Sequence, residues 1–176
     1  DKWDEMRGTK TYGNLTIGRL KQQMTNFRAK PRPLTEVGAA ERLADRHGDK
    51  LRYCHDWGRW LLWDGARWDT DKTNRVQSMA VQVVRSIPQE ADAMDEKTQK
   101  AYVNFSRGLE KNSVIGNVLR QAERLMPVLS GSFDADLWKL NCLNGTLDLT
   151  TGKLFPPDPA ALHTKQTPVL FDPKAK

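Results

Sequence analysis

Residues 51–71 read LRYCHDWGRWLLWDGARWDTD and hold four of the six tryptophans, Trp57, Trp60, Trp63 and Trp68. Asp56-Trp57-Gly58 and Asp64-Gly65 are turn signals, and Asp-Gly is favoured in two-residue type I′ hairpins. Between them lie runs suited to short strands: Leu51–His55, Arg59–Trp63 and Ala66–Asp69. The stretch predicts a three-strand meander. So small a sheet is marginal alone and must pack on something.

The neighbouring sequence supplies helices. Thr35 is placed to cap one of about three turns, with Val37, Ala40, Leu43 and Ala44 inward and Gly48 as a C′ glycine. Beyond the meander, Val76, Met79, Ala80, Val83, Val84 and Ile87 form a helical stripe that Pro88 stops. Asp95–Leu109 aligns Tyr102, Phe105 and Leu109. Ser113–Met126 aligns Ile115, Val118, Leu119, Ala122, Leu125 and Met126, and Pro127 ends it. Successive amphipathic helices imply a bundle.

Leu140–Phe155 returns to β structure, with turns expected at Asn144-Gly145 and Thr151-Gly152. It is expected to join or pack beside the tryptophan meander. Asp158–Lys176 reads as proline-rich, exposed and extended. At the other end, Ile17, Leu20, Met24 and Phe27 share a face of a helix through Phe27. Arg19, Lys21, Arg28, Lys30 and Arg32 lie on its outer face and exit. Pro31-Arg32-Pro33 marks a boundary. The expected organisation is a linker or helical appendage over 1–33 and a main domain over 34–176. The expected fold class is α+β: a helical bundle packed against short antiparallel meanders.

The chain has 176 residues and a net charge of +6, with a pI of about 9.4. A basic balance permits nucleic-acid binding without establishing it. No apolar run reaches 18 residues and no signal peptide is evident. Cys54 and Cys142 are the two cysteines, which fits a reducing, cytoplasmic setting. The chain begins at Asp1 and closes at Phe171–Lys176 without a cap, and reads as a piece of a larger protein.

The chemistry-bearing residues weigh against catalysis here. There is no G-x-x-x-x-G-K-[ST] phosphate loop. Asp69-Thr70-Asp71 could hold a divalent metal for nucleotidyl transfer. At a strand-to-helix junction, however, carboxylates cap free N–H groups, and capping is the expected role. Asp134-Ala135-Asp136 is a second such pair. His47, His55, His163, Cys54 and Cys142 lack the paired spacing of a zinc site. We therefore expect no catalytic and no metal-binding residue.

The tryptophans can be stacking platforms for unpaired bases or simply core. Trp60, Trp63 and Trp68 sit within strands or at a strand start, and core is expected for most of them. Trp57, in a turn beside Arg59, is the best placed to be exposed. Arg59, Arg67, Arg107, Lys111, Arg120 and Arg124 complete the candidate nucleic-acid contacts. Arg107 and Lys111 are four apart, as are Arg120 and Arg124. The plainer alternative is a solvated face balanced by Glu110 and Glu123.

Two ordered motifs carry a family resemblance. The hydrophobic-Arg-Tyr of Leu51–Tyr53, then Trp60-Leu61-Leu62-Trp63-Asp64-Gly65-Ala66-Arg67-Trp68 and Asp71, resembles the domain before the superfamily 3 helicase in phage and plasmid primase–helicases. It is also similar to a domain of the poxvirus primase–helicase. Asn144-Gly145-Thr146-Leu147-Asp148-Leu149-Thr150-Thr151-Gly152 resembles the family's second hairpin region, and Thr164 and Val169–Pro173 its closing segment. The likeness spans roughly Leu34–Lys176. It implies a non-catalytic connector or collar that aids oligomeric assembly and guides single-stranded DNA or primed template. Its neighbours would be the protein's own primase and helicase modules. Magnesium and ATP would belong to those modules, with no cofactor in this stretch. A scaffold that does not bind DNA, and a metal-dependent priming domain, are the alternatives.

Overall fold

Both faces of the tryptophan sheet are buried, and this decides the architecture. The computed structural model describes residues 32–174; the helix expected through Phe27 lies outside them. The elements run α1 (Glu36–His47), β1 (Leu51–Cys54), β2 (Arg59–Trp63), β3 (Trp68–Thr70), α2 (Arg75–Ser86), α3 (Glu96–Leu109), α4 (Asn112–Glu123), β4 (Pro127–Val128), β5 (Lys139–Cys142), β6 (Gly145–Asp148) and β7 (Lys153–Phe155). This is an α+β fold. Contacts gather the chain from Pro33 onward into one compact unit.

The helices start and stop where local chemistry dictates. The Thr35 hydroxyl accepts the Gly38 N–H at 3.0 Å, and Asp95 accepts the Thr98 N–H at 3.0 Å. Pro88 falls in a 3₁₀ turn, Ile87–Ala91, that follows α2. The stripes meet as a core in which Leu43, Val84, Ile87, Ile115, Val118 and Ala122 are at most 1% exposed. Arg42 is buried among these helices. It forms a forked ion pair with Glu90 (2.9, 3.0 and 2.8 Å) and donates to the carbonyls of Pro33 and Gly38. Two expected inward residues, Val37 and Leu125, are 38% and 41% exposed. Leu125 lies beyond the end of α4, which stops at Glu123 and not at Met126, in the turn before β4. Gly48 is right-handed (φ −63°) rather than a left-handed C′ glycine.

The meander forms with antiparallel pairs Leu51↔Leu62, Tyr53↔Trp60 and Leu62↔Asp69. Alternation sends Leu51, Trp60 and Leu62 into the helical core and Cys54, Leu61 and Trp68 into a second core with Phe133. Two turn details differ from expectation. The Asp64-Gly65 connection is a four-residue loop, because the Asp64 carboxylate captures the N–H groups of both Ala66 and Arg67 at 2.8 Å. The third strand therefore begins at Trp68. His55 falls in the first turn and not in a strand. A fourth strand, β4, adds to β1 in parallel, giving the order β3-β2-β1-β4.

The second β region does not join this sheet. It forms its own three-stranded sheet, β5-β6-β7. Its first turn is centred on Leu143-Asn144, with Gly145 already in β6, paired to Cys142. A Cβ on Gly145 would lie 2.3 Å from the Phe155 carbonyl oxygen, so no larger residue fits there.

The proline-rich segment is mostly extended, with a 3₁₀ turn at Pro159–Ala161, and only partly exposed. Residues 159–165 form a strap that closes the second core. The Trp68 indole N–H donates to the Pro159 carbonyl at 2.9 Å, and the Trp68 backbone N–H to the His163 carbonyl at 2.7 Å. His163 is buried, 4% exposed. Asp134, in left-handed conformation (φ 50°), accepts the Thr164 N–H at 2.9 Å and the Thr164 hydroxyl.

Trp68 is 1% exposed and touches the sheet, the strap and the Arg52 guanidinium, 5.1 Å from its ring centre. Trp68→Ala is expected to cost about 3–5 kcal/mol, read as a lower urea midpoint. Burial alone would raise Asp134, but its bonds from Thr164 and Lys165 hold the carboxyl below the usual range. A depressed carboxyl contributes stability above its unfolded value, roughly pH 4, that is lost as pH falls through the folded value. Asp134→Asn should lower stability at neutral pH, and the gap from the native chain should close in acid.

Candidate nucleic-acid interface

Trp57 is held in the β1–β2 turn by a glycine that can turn the chain. Gly58 has φ 60°, and its N–H bonds back to the His55 carbonyl at 3.1 Å. The Trp57 ring is 41% exposed. Its inner face stacks on Phe133, with centroids 5.1 Å apart and planes 16° apart. Phe133 belongs to the second core, so the platform is anchored. Arg59 Nε donates to the Trp57 main-chain carbonyl at 3.2 Å. A polar cleft of about 580 Å³ opens there, lined by Asp56, Arg59, Leu61, Asp69, Thr70 and Thr164 among others. The Asp56 carboxyl is held below the usual range by the Ser130 hydroxyl and N–H, which ties this turn to the loop before Phe133.

The other candidate cations do not gather with it. Arg67 sits in the β2–β3 loop, at the far end of β2, 3.6 Å from Asp64. Arg107 is exposed at the end of α3 and Lys111 just before α4. Arg120 and Arg124 are exposed near the other end of α4. Glu110 turns to Arg85 at 3.2 Å and does not balance the helix cations. Charge is also less concentrated than the whole chain suggests. Residues 32–174 hold 20 Lys and Arg against 19 Asp and Glu, so most of the excess of +6 lies in the N-terminal stretch.

The carboxylates at the strand-to-helix junction are engaged by backbone and lysine. Asp71 accepts N–H groups from Thr73, Arg75 and Val76 at 3.2, 3.0 and 2.9 Å. It caps α2 from outside, since Asn74 at the N-cap makes no side-chain bond. Asp69 does not cap: it accepts the Thr70 N–H at 2.8 Å and pairs with Lys72 at 3.3 Å. Asp136 accepts the Trp138 N–H at 2.9 Å. Among the described residues no group of three or more His, Cys, Asp or Glu side chains is placed to hold a metal ion. No helix among them is long and apolar enough to cross a membrane.

Sequence reading missed Phe133 and Trp138. Phe133 follows a Ser-Gly-Ser turn far from Trp57 in the chain, and nothing local announces the stack. Trp138 is 62% exposed, beside Leu137 at 85%; the alternation Trp138, Leu140, Cys142 was the available signal.

The described residues form an α+β domain with a tryptophan-rich sheet and a second, separate hairpin sheet. The family described as "D5 N terminal like" matches residues 40–176, and the chain belongs to it: the domain that precedes the helicase in primase–helicase proteins. No curated protein matches the chain.

Asp71→Ala removes the acceptor of three N–H groups, and a lost cap typically costs about 1–2 kcal/mol. The loss should appear as a lower melting temperature with helix content restored on cooling.

Proposed function

We propose that this chain is the non-catalytic connector, or collar, of a phage- or plasmid-type primase–helicase acting in the cytoplasm. It positions single-stranded DNA or primed template for a downstream superfamily 3 motor and helps copies of the protein assemble. Primase and helicase modules are its neighbours in the same protein; magnesium and ATP serve those modules and not this one. The observation that carries the reading is Trp57: half-open, braced on Phe133 and flanked by Arg59. An unpaired base can stack on its free face while the guanidinium meets a phosphate, with little sequence readout. The engagement of Asp71 by three backbone N–H groups supports a structural role for the acidic pair.

The near-neutral charge of residues 32–174 favours a second reading, an assembly scaffold with no DNA contact. Fluorescence anisotropy with single-stranded oligonucleotides at low salt separates the two. The connector reading expects binding that Trp57→Ala weakens by about 5- to 150-fold, the worth of one stacked base. Arg59→Ala should reduce the salt slope by about one. No binding at low salt sinks the DNA-guiding reading and leaves the scaffold.

A further inference from the structure

Two arginines are held in the same way, and one of them lacks an anion. Arg42 uses Nη1 on two main-chain carbonyls, those of Pro33 and Gly38, both at 3.0 Å. Its Nε and Nη2 form a fork that closes on the Glu90 carboxylate at 2.9, 3.0 and 2.8 Å. Arg52 repeats the first half of this arrangement. Its Nη1 donates to the carbonyls of Gly48 and Leu51, the latter at 2.7 Å. Its guanidinium lies 5.1 Å from the centre of the Trp68 ring. The second half is missing: Arg52 Nε and Nη2 find no acceptor, and no carboxylate pairs with them, among the described residues. Other partly buried cations are neutralised, Arg67 by Asp64 at 3.6 Å and Lys139 by Asp148 at 2.6 Å.

The open edge of Arg52 has a definite chemistry. Nε–H and Nη2–H are parallel donors, and two oxygens of one phosphate or carboxylate fill them together. Arg52 is half-buried, and a charge taken partly out of water without a counter-charge is costly. Two carbonyls and an aromatic face offset some of that cost and fix the side chain, but they leave the charge. An anion would meet a donor pair that is already placed, so little further order is lost on binding.

Arg52 lines a cleft of about 490 Å³ with His55, Asp56, Leu129, Pro159 and Leu162 among others. Asp56 is the one acid of that lining. Its Oδ2 is turned to Ser130, accepting the N–H at 3.1 Å and the hydroxyl. A strand rises about 3.3 Å per residue, which sets Asp56 on the order of 10 Å from Arg52, too far to neutralise it. Asp56 also lines the cleft beside Trp57 and Arg59. The two clefts therefore meet at one turn, with a stacking ring on one side and an open fork on the other.

We propose that the Arg52 fork holds a backbone phosphate of the single strand whose base stacks on Trp57. The assignment rests on the DNA-guiding role proposed above and adds to it a residue outside the candidate cations. A polyanion with unpaired bases uses the ring and the fork at once, whereas an acidic protein segment would use the fork alone. A contact of this kind positions the strand without reading its sequence.

Fluorescence anisotropy of the full chain with a labelled oligothymidylate tests it, beside Arg52→Gln and Leu129→Glu. Arg52→Gln removes the fork. Leu129→Glu, at a side chain 72% exposed, sets a carboxylate on the cleft wall without disturbing the core. Each is expected to weaken binding by about tenfold at low salt, the worth of a charged hydrogen bond. Arg52→Gln should also lower the salt slope by about one. Circular dichroism and the urea midpoint report the fold of each variant; where Arg52→Gln is destabilised through its lost contact with Trp68, Leu129→Glu decides alone. Native affinity in a folded variant, with Trp57→Ala still weakening binding, would overturn the Arg52 site and leave the DNA-guiding role. No binding by the native chain would overturn both. Stabilisation by inorganic phosphate or by oligoglutamate that Arg52→Gln removes, with DNA affinity unchanged, would give the fork to a free anion or an acidic protein segment and overturn the strand contact.

Discussion

The structure depends on a sheet that is packed against other elements on both faces. Four short strands cannot hold together through their own hydrogen bonds; they persist because apolar matter covers both sides. On one side Leu51, Trp60 and Leu62 meet the helices. On the other Cys54, Leu61 and Trp68 meet Phe133 and Leu162. This explains why β2 reads Arg-Trp-Leu-Leu-Trp rather than alternating polar with apolar. It also explains why a segment with the composition of a loose tail is ordered: without residues 159–165 the second face would be open to water.

The local signals in the sequence were sufficient for the elements. The cap at Thr35 and the stop at Pro88 depend on residues within a few positions of one another and are present, as are the stripes of α2 to α4 except at Leu125. Non-local features were not legible. β4 is two residues long and begins with proline, so only its pairing with β1 makes it a strand. The strap is set by Asp134, thirty positions upstream, through bonds no local pattern contains. The Asp-Gly loop widened because one carboxylate found two donors. The second sheet is tied to the β2–β3 loop and to the strap by Asn141, which bonds to the Ala66 and Lys165 carbonyls that only the folded chain brings together.

The candidate site was legible in part, for the same reason. Trp57 in a tight turn marked itself as exposed, and Gly58 makes that turn. Its support, Phe133, and the dispersal of the cations are facts of tertiary placement. Asp71 acts as a remote cap and Asp69 as a lysine partner, a distinction that spacing alone does not make. The chain belongs to the family that precedes the helicase in primase–helicase proteins, a membership that the two ordered motifs of the sequence had already suggested.

The central claim is that the strap is as much a part of the fold as the sheet it covers. Native-state hydrogen exchange tests it most directly at two amides. The Tyr53 N–H bonds to Met126 within the sheet layer, and the Trp68 N–H bonds to His163 in the strap. The account predicts that both exchange only through global unfolding, with equal protection and equal sensitivity to denaturant. Fast exchange at Trp68 while Tyr53 stays protected would show the strap opening on its own, and would contradict a sheet sealed on both faces.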